Sequence, residues 1–290
     1  MSATGHHRAE QLAAQLPPLL VAAERVAQTV SQGVHGRRRV GQGESFWQFR
    51  RYGFGDAAGQ IDWRQSAKSD PVYVRETEWE AAQSVWLWRD SSPSMAFRSD
   101  NNLESKQARA ELLTLALASL LARGGERVAL LGTEMTPSSG RRALPRMWAE
   151  IDGDRTPTDS LPGVAPLPRY ARVVMIGDFL SPLGEIKSAV AAFADNGVRG
   201  HLLQVLDPAE ERLPYTGNIL FDGPEQEGEL LVPHAESLRS DYRRELARHR
   251  AATAAIARGM GWSFASHRTD HPPAQVLMAL YLLLSETVAG

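Results

Sequence analysis

The sequence predicts an α/β protein built on a mostly parallel sheet with helices on both faces. Three observations predict it. Short apolar runs at Ser84–Arg89, 127–131, Arg172–Gly177 and 201–206 recur along the chain, each bounded by turn or polar residues. Segments with helical apolar spacing separate them, and strands alternating with such helices are joined by crossovers, which make a sheet parallel and bury both its faces. The composition is that of an ordinary globular chain, with 290 residues, 43% of them hydrophobic and 23% charged, enough to bury a substantial core.

The elements follow in order. Residues 1–8 read as an unstructured lead-in. Residues 9–31 have helical apolar spacing interrupted by Pro17 and Pro18, which predicts one broken helix or two short ones. Residues 34–83 are rich in glycine, arginine and aromatic side chains and lack helical periodicity. The run Ser84–Arg89 is the first buried strand. Asn101-x-x-Glu104 resembles a capping box ahead of a helix over 103–123, closed by Gly124 and Gly125. A second strand at 127–131 precedes a helix over 141–151 that contains Pro145. After the third strand, Arg172–Gly177, a helix begins at Pro182 and stops near Asn196 and Gly197. The fourth strand is 201–206. Residues 218–221 and 229–232 predict a hairpin, inserted near 215–235. A long helix over 238–258, a last strand at 262–267 and a last helix at 274–288 complete the chain. The division expected is an extension at 1–83 and a main domain at 84–290.

Charge and residue usage exclude several function classes. The 32 basic and 34 acidic side chains leave a net charge of −2, which exerts no global pull on nucleic acid or anionic lipid. The absence of cysteine excludes disulfides, cysteine-ligated zinc, iron–sulfur clusters and thiol catalysis. The longest uncharged apolar-rich stretches, 112–122 and 272–285, fall short of the roughly 20 residues a membrane span requires, and the first residues lack a signal peptide's apolar core. A cytoplasmic protein without membrane insertion is expected. No serine sits in G-x-S-x-G, and neither H-E-x-x-H nor G-x-x-x-x-G-K-[ST] occurs. Gly53-x-Gly55 has Ala58 where a dinucleotide-binding loop needs its third glycine, and the histidines show no ligand spacing.

The sharpest local feature is Asp90-Ser91-Ser92-Pro93-Ser94, directly after the first strand. Ligands of open α/β sheets gather beyond the carboxyl ends of the strands, where strand order reverses. A carboxylate and two hydroxyls at alternate positions there are hard oxygen donors suited to magnesium. Asp178 ends the third strand, and Thr158 offers a third hydroxyl, with Thr156 and Thr136 as alternatives. Asp90 and Ser92 also fit a simpler role as helix caps, and Arg89 stands where it could pair with Asp90. The pattern resembles the metal-ion-dependent adhesion site of von Willebrand factor A domains. That resemblance implies a Rossmann-like von Willebrand factor A core and a Mg2+ or Mn2+ ion held by Asp90, Ser92, Ser94 and Thr158, directly or through water. Asp178 would act from outside that set, and a partner's carboxylate would fill the remaining position.

A second resemblance covers more of the chain. Gly43-Glu44-Ser45-Phe46-Trp47-Gln48-Phe49-Arg50-Arg51-Tyr52, Gly55-Asp56 and Gln60-Ile61-Asp62-Trp63-Arg64-Gln65-Ser66-Ala67-Lys68 look like the hallmark of the bacterial domain-of-unknown-function family fifty-eight. The likeness continues through Met95 after the serine loop, through Asp178, and to Asp207-Pro208-x-Glu210. It departs at Arg89 and at Ala57–Ala58. The resemblance implies an adaptor working beside a MoxR-type AAA+ ATPase and other von Willebrand factor A proteins, in chaperone-like or cofactor-insertion complexes. The hallmark block itself reads as an extra strand pair against the main sheet, its Asp62 and arginines paired beneath aromatic cover. Its other reading is a docking face made by Arg37–Arg39 and Arg50–Arg51. The function expected is a non-catalytic protein-interaction module. Nucleic-acid binding by the basic and aromatic segment 35–52 and metal-dependent hydrolysis are the alternatives.

Overall fold

The computed structural model describes residues 18–35, 46–51, 63–68, 72–77, 84–153, 160–169, 171–224 and 228–286. The elements in chain order are α1 (Pro18–His35), β1 (Phe46–Arg51), α2 (Trp63–Ser66), β2 (Tyr73–Thr77), β3 (Ser84–Arg89), α3 (Lys106–Arg123), β4 (Arg127–Leu130) and α4 (Ala143–Gly153). There follow β5 (Arg172–Gly177), α5 (Leu183–Ala194), β6 (Arg199–Leu206), α6 (Pro208–Arg212), β7 (Ile219–Gly223), β8 (Gly228–Val232), α7 (Ala235–Gly259), β9 (Ser263–Arg268) and α8 (Pro273–Glu286). They fall into two compact units, 1–37 with 83–290, and 38–82.

The larger unit is the α/β domain. Its five strands are parallel and lie in the order β4-β3-β5-β6-β9. From β3 the chain steps outward to β4, then crosses back to β5 on the other side of β3, so strand order reverses between β3 and β5. The apolar stripe of α3 (Ala110, Leu113, Leu117) packs on one face with residues of α1, α4 and α8. Residues of α5 and α7, together with Phe179 and Trp262, cover the other. Both faces of the strands are therefore apolar, and β5 is buried at every position.

One predicted boundary, the start of the helix after the serine loop, needs physical correction. Residues 18–35 form the helix α1, with Pro18 at its first position, where the missing N–H costs nothing, and residues 9–17 lie outside the described residues. Leu20, Ala23, Ala27 and Val30 are its buried stripe. Glu24 ties it to α3 through the Ser119 hydroxyl (2.9 Å) and the Arg123 guanidinium. Helix α3 starts at Lys106, later than predicted, and its cap is Ser105, whose hydroxyl accepts from the Ala108 N–H at 3.1 Å. Glu104 does not serve a capping box with Asn101, because Arg109 draws its carboxylate away at 2.7 Å. Pro145 lies within the first turn of α4, where it is tolerated. Strands β7 and β8 form the expected antiparallel hairpin, with Leu220, Leu230 and Leu231 exposed. No helix among the described residues is long and apolar enough to cross a membrane.

In the unit at 38–82, β1 pairs antiparallel with β2, from Phe46 opposite Thr77 to Arg51 opposite Tyr73. Ser66 at the end of α2 accepts from the Tyr73 N–H at 2.9 Å, so one hallmark residue fixes the entry to β2. Trp63 is 67% exposed and supplies no aromatic cover. The hallmark residues at 43–45 and 52–62, the arginines at 37–39, and Thr158 and Thr156 lie outside the described residues.

Two tests follow from this packing. A Cβ on Gly200 would come within 2.3 Å of the Trp262 ring, which its own indole N–H holds to the Val198 carbonyl at 3.0 Å. Gly200→Ala should therefore destabilise by about 1–3 kcal/mol, read as a lower melting temperature. His267 is pushed down to about 4 by burial and by Arg109, whose guanidinium lies 3.0 Å from its Nε2. The folded state then binds fewer protons than the unfolded chain between about pH 6.5 and 4, so stability falls as pH drops through that window. His267→Gln should flatten that part of a plot of urea midpoint against pH.

Candidate functional site

Strand β3 delivers Asp90 to the carboxyl edge of the sheet, at the reversal point next to β5. The Asp90 N–H donates to the Ile176 carbonyl at 2.8 Å, carrying the β3–β5 pairing one residue further. Its carboxylate turns back, and Oδ1 accepts from the Ser92 N–H at 2.8 Å. This is the local bond that aspartate makes in turns. Ser92 then leads into a single 3-10 turn, Pro93–Ala96, anchored by the fully buried Met95. That turn folds Ser94 back toward Ser92, with the two hydroxyls 3.2 Å apart. The Ser94 hydroxyl donates to Asp178 Oδ2 at 2.8 Å.

Asp178 reaches this point because β5 ends in glycine. A Cβ at Gly177 would lie 2.8 Å from Asp90 Cβ and 3.0 Å from Asp90 Oδ2, so no larger residue lets the two strand ends approach this closely. Asp178 is fixed further by the Leu180 N–H on Oδ1 (3.2 Å) and by Gln204 Nε2 on its backbone carbonyl (2.8 Å). The next residue, Phe179, is buried at φ 49°, a left-handed conformation costly for a bulky side chain. Its carbonyl lies 2.8 Å from His249 Nε2 on α7.

Four of the five residues predicted for a metal site (Asp90, Ser92, Ser94 and Asp178) thus stand together. The fifth, Thr158, falls outside the described residues. Thr136 is exposed on the loop after β4, and among the described residues no threonine hydroxyl bonds to these four side chains. Arg89 turns to the other face, as strand alternation requires, with its guanidinium 3.8 Å from Glu111 and 3.4 Å from the Ile151 carbonyl.

Sequence reasoning missed Lys106. Its ammonium is fully buried between Asp178 Oδ2 (2.9 Å) and Glu210 Oε1 (2.5 Å). Burial opposes the charge, but the two carboxylates outweigh it and hold Lys106 above its ordinary range. Glu210 in turn closes a capping box at the start of α6. Its Oε2 accepts from the Asp207 N–H, and Asp207 Oδ1 from the Ala209 N–H, both at 2.8 Å. Asp207 Oδ2 accepts from the Ser99 N–H at 3.0 Å, tying the serine loop to the end of β6. One signal for Lys106 was present. It lies four and seven residues before Ala110 and Leu113, on the stripe that α3 buries.

The donor set fits a hard cation. Asp90 is fully buried, and among the described residues its Oδ2 has no hydrogen-bond partner. Burial, followed by the charge of Asp178, pushes its carboxyl up to about 7. Asp90, Asp178 and Glu210 are three carboxyl groups near the single ammonium of Lys106, so acidic groups outnumber basic ones here and a cation would compete with the proton that burial favours on Asp90. Among the described residues no group of three His, Cys, Asp or Glu side chains could hold a metal. The donors here include two serine hydroxyls.

Lys106 carries its own test. Lys106→Met leaves Asp178 and Glu210 buried without their counter-charge and should cost about 3–5 kcal/mol in urea denaturation. Adding Glu210→Gln should recover part of that loss.

Comparison with known proteins extends this picture. The family model described as Protein of unknown function DUF58 matches residues 48–252. Uncharacterized proteins of Mycobacterium tuberculosis and Mycobacterium bovis are 28% identical over 277 residues, covering 90% of this chain and 86% of theirs. Of solved structures, the conserved hypothetical protein BatB from Bacteroides thetaiotaomicron matches with a TM-score of 0.41 and 15% identity, over 72% of this chain and all of that one. An aerotolerance-related membrane protein from Bacteroides fragilis matches with a TM-score of 0.33 and 17% identity, over 62% and 98% of the two chains. The matched family span runs from β1 into α7 and takes in the serine loop, Asp178, Lys106 and Glu210: the chain belongs to the family Protein of unknown function DUF58.

Proposed function

We propose that the chain is a cytoplasmic, non-catalytic protein-interaction module that uses the Asp90 pocket, completed by a divalent cation, to grip a carboxylate on a partner. The observation that carries this reading is the buried Oδ2 of Asp90, which among the described residues has no hydrogen-bond partner, in the loop that carries the hydroxyls of Ser92 and Ser94. A buried carboxylate oxygen without a donor is costly, and an oxygen-liganded ion removes that cost. Asp90, Ser92 and Ser94 would hold the ion, directly or through water. Asp178, steered by Lys106 and Ser94, would add its charge from outside. When bound, Mg2+ or Mn2+ would supply a site for one further oxygen ligand.

A non-catalytic role is supported by how the hydroxyls are engaged. Ser94 donates to Asp178, and among the described residues no histidine bonds to Ser92 or Ser94, so neither serine has the imidazole base that activates a nucleophile. A MoxR-type AAA+ ATPase is the partner implied by the family resemblance, and an acidic side chain on its surface is the feature this pocket would recognise.

Calorimetric titration with magnesium and manganese tests the metal step. The expected result is one ion per chain for the wild type and none for Asp90→Asn, whose side chain keeps the shape but loses the charge. A wild-type chain that takes up neither ion overturns the reading. Affinity capture from the native cell, with and without chelator, tests the partner: an AAA+ ATPase should be recovered in the metal-replete sample alone.

A further inference from the structure

At the amino edge of the sheet, opposite the Asp90 pocket, strand register gathers a second polar cluster. Arg172 of β5 is in register with Arg199 of β6, and His201 of β6 with Ser263 of β9. Partners in register share a face, as do residues two apart on a strand, so all four side chains stand on one face at one corner. They border a cavity of about 210 Å³ that Trp262 also lines. That is the liquid volume of roughly seven waters.

The charges at this corner are unbalanced. Two guanidiniums on adjacent strands repel each other. Arg172 is buried, and burial followed by Arg199 lowers it, while Glu126 partly counteracts them. One Arg172 nitrogen caps the carboxyl end of α8 by donating to the Leu284 carbonyl. Arg199 has no ion-pair partner among the described residues, and Glu126 cannot answer two cations. His201 Nδ1 and the Ser263 hydroxyl lie 2.6 Å apart. Burial and Arg172 push His201 down to about 4, so near neutral pH it is an uncharged hydrogen-bonding group.

We propose that Arg172, Arg199, His201 and Ser263 form a binding site for a small tetrahedral oxyanion of the phosphate class. Guanidiniums present paired donors that match phosphate oxygens, and the hydrogen-bonded pair of His201 and Ser263 keeps one neutral donor for the anion at the far side. The anion would relieve the repulsion between the two arginines and fasten β5, β6 and β9 together at the edge remote from the Asp90 pocket. This site does not depend on the metal reading.

The test uses the full chain in chelator, so that no metal contributes. Melting temperature is followed against sodium phosphate and against sodium chloride of matched ionic strength. A saturable rise with phosphate alone is expected, following the mass-action form for a ligand of the folded state. Arg199→Gln, at an exposed position, removes one of the two repelling charges, so it should raise the melting temperature without phosphate and weaken phosphate binding at least tenfold. Ser263→Ala should weaken it by a smaller factor. A wild-type chain that melts identically in phosphate and chloride overturns the proposal, as does an Arg199→Gln chain that binds phosphate as tightly as the wild type.

Discussion

The buried ammonium of Lys106 is the constraint on which the carboxyl edge of the sheet depends. Taking a charge out of water costs several kcal/mol even after relaxation, and here the cost is offset only where Asp178 and Glu210 both stay within hydrogen-bond range. One side chain therefore fixes three separate segments: the first turn of α3, the end of β5 and the start of α6. The same bond decides where the unanswered charge lies. Asp178 Oδ2 already receives both Lys106 and Ser94, whereas Asp90 Oδ2 receives nothing from the described residues. Any cation arriving at this edge meets its strongest unmet demand at Asp90, with Asp178 already committed.

That cluster exists because of topology before it exists because of chemistry. Reversal of strand order between β3 and β5 leaves no crossover helix over the gap and puts Asp90 and Asp178 where ligands of open α/β sheets gather. Gly177 lets the backbone of β5 pass within van der Waals contact of Asp90. The serine loop then needs an outer support. It comes from the Ser99 N–H on Asp207, and Asp207 is held in place by the capping box that also presents Glu210. Alternative caps for Asp90 and Ser92 were open on residue type alone. The Asp90 side chain does accept a local backbone bond, through Oδ1, as a cap would.

Much of this was legible in the sequence, and the failures have identifiable causes. The four apolar runs became parallel strands because a strand buried on both faces cannot hide its composition. Asp90, Ser92, Ser94 and Asp178 were legible because a polar cluster directly after such a run can lie only at the strand's carboxyl end. Lys106 was not. A lysine at a helix start ordinarily reads as solvated, and its partners Asp178 and Glu210 lie 72 and 104 residues away. The capping box at Asn101 failed for a related reason: Glu104 had a stronger suitor in Arg109, one helical turn ahead and itself drawn to His267 on β9. Pro18 marks a helix boundary, as its ring and missing N–H require, and it opens α1.

The near-zero net charge also concealed how charge is arranged. Parallel strands all start at one edge and all end at the other, so whatever residue types favour each end accumulate there. Asp90, Asp178, Asp207 and Glu210 gather at the carboxyl edge around one lysine, while Arg172 and Arg199 sit in register at the amino edge around one neutral histidine. A sum over the chain cancels these two fields, but a ligand experiences only the one within about a Debye length, near 10 Å in 0.1 M salt. Net charge speaks only to a global pull on polyanions. It carries no information about an acidic cluster and a basic pair held apart by the length of a strand, because the sheet separates along its axis what composition adds together.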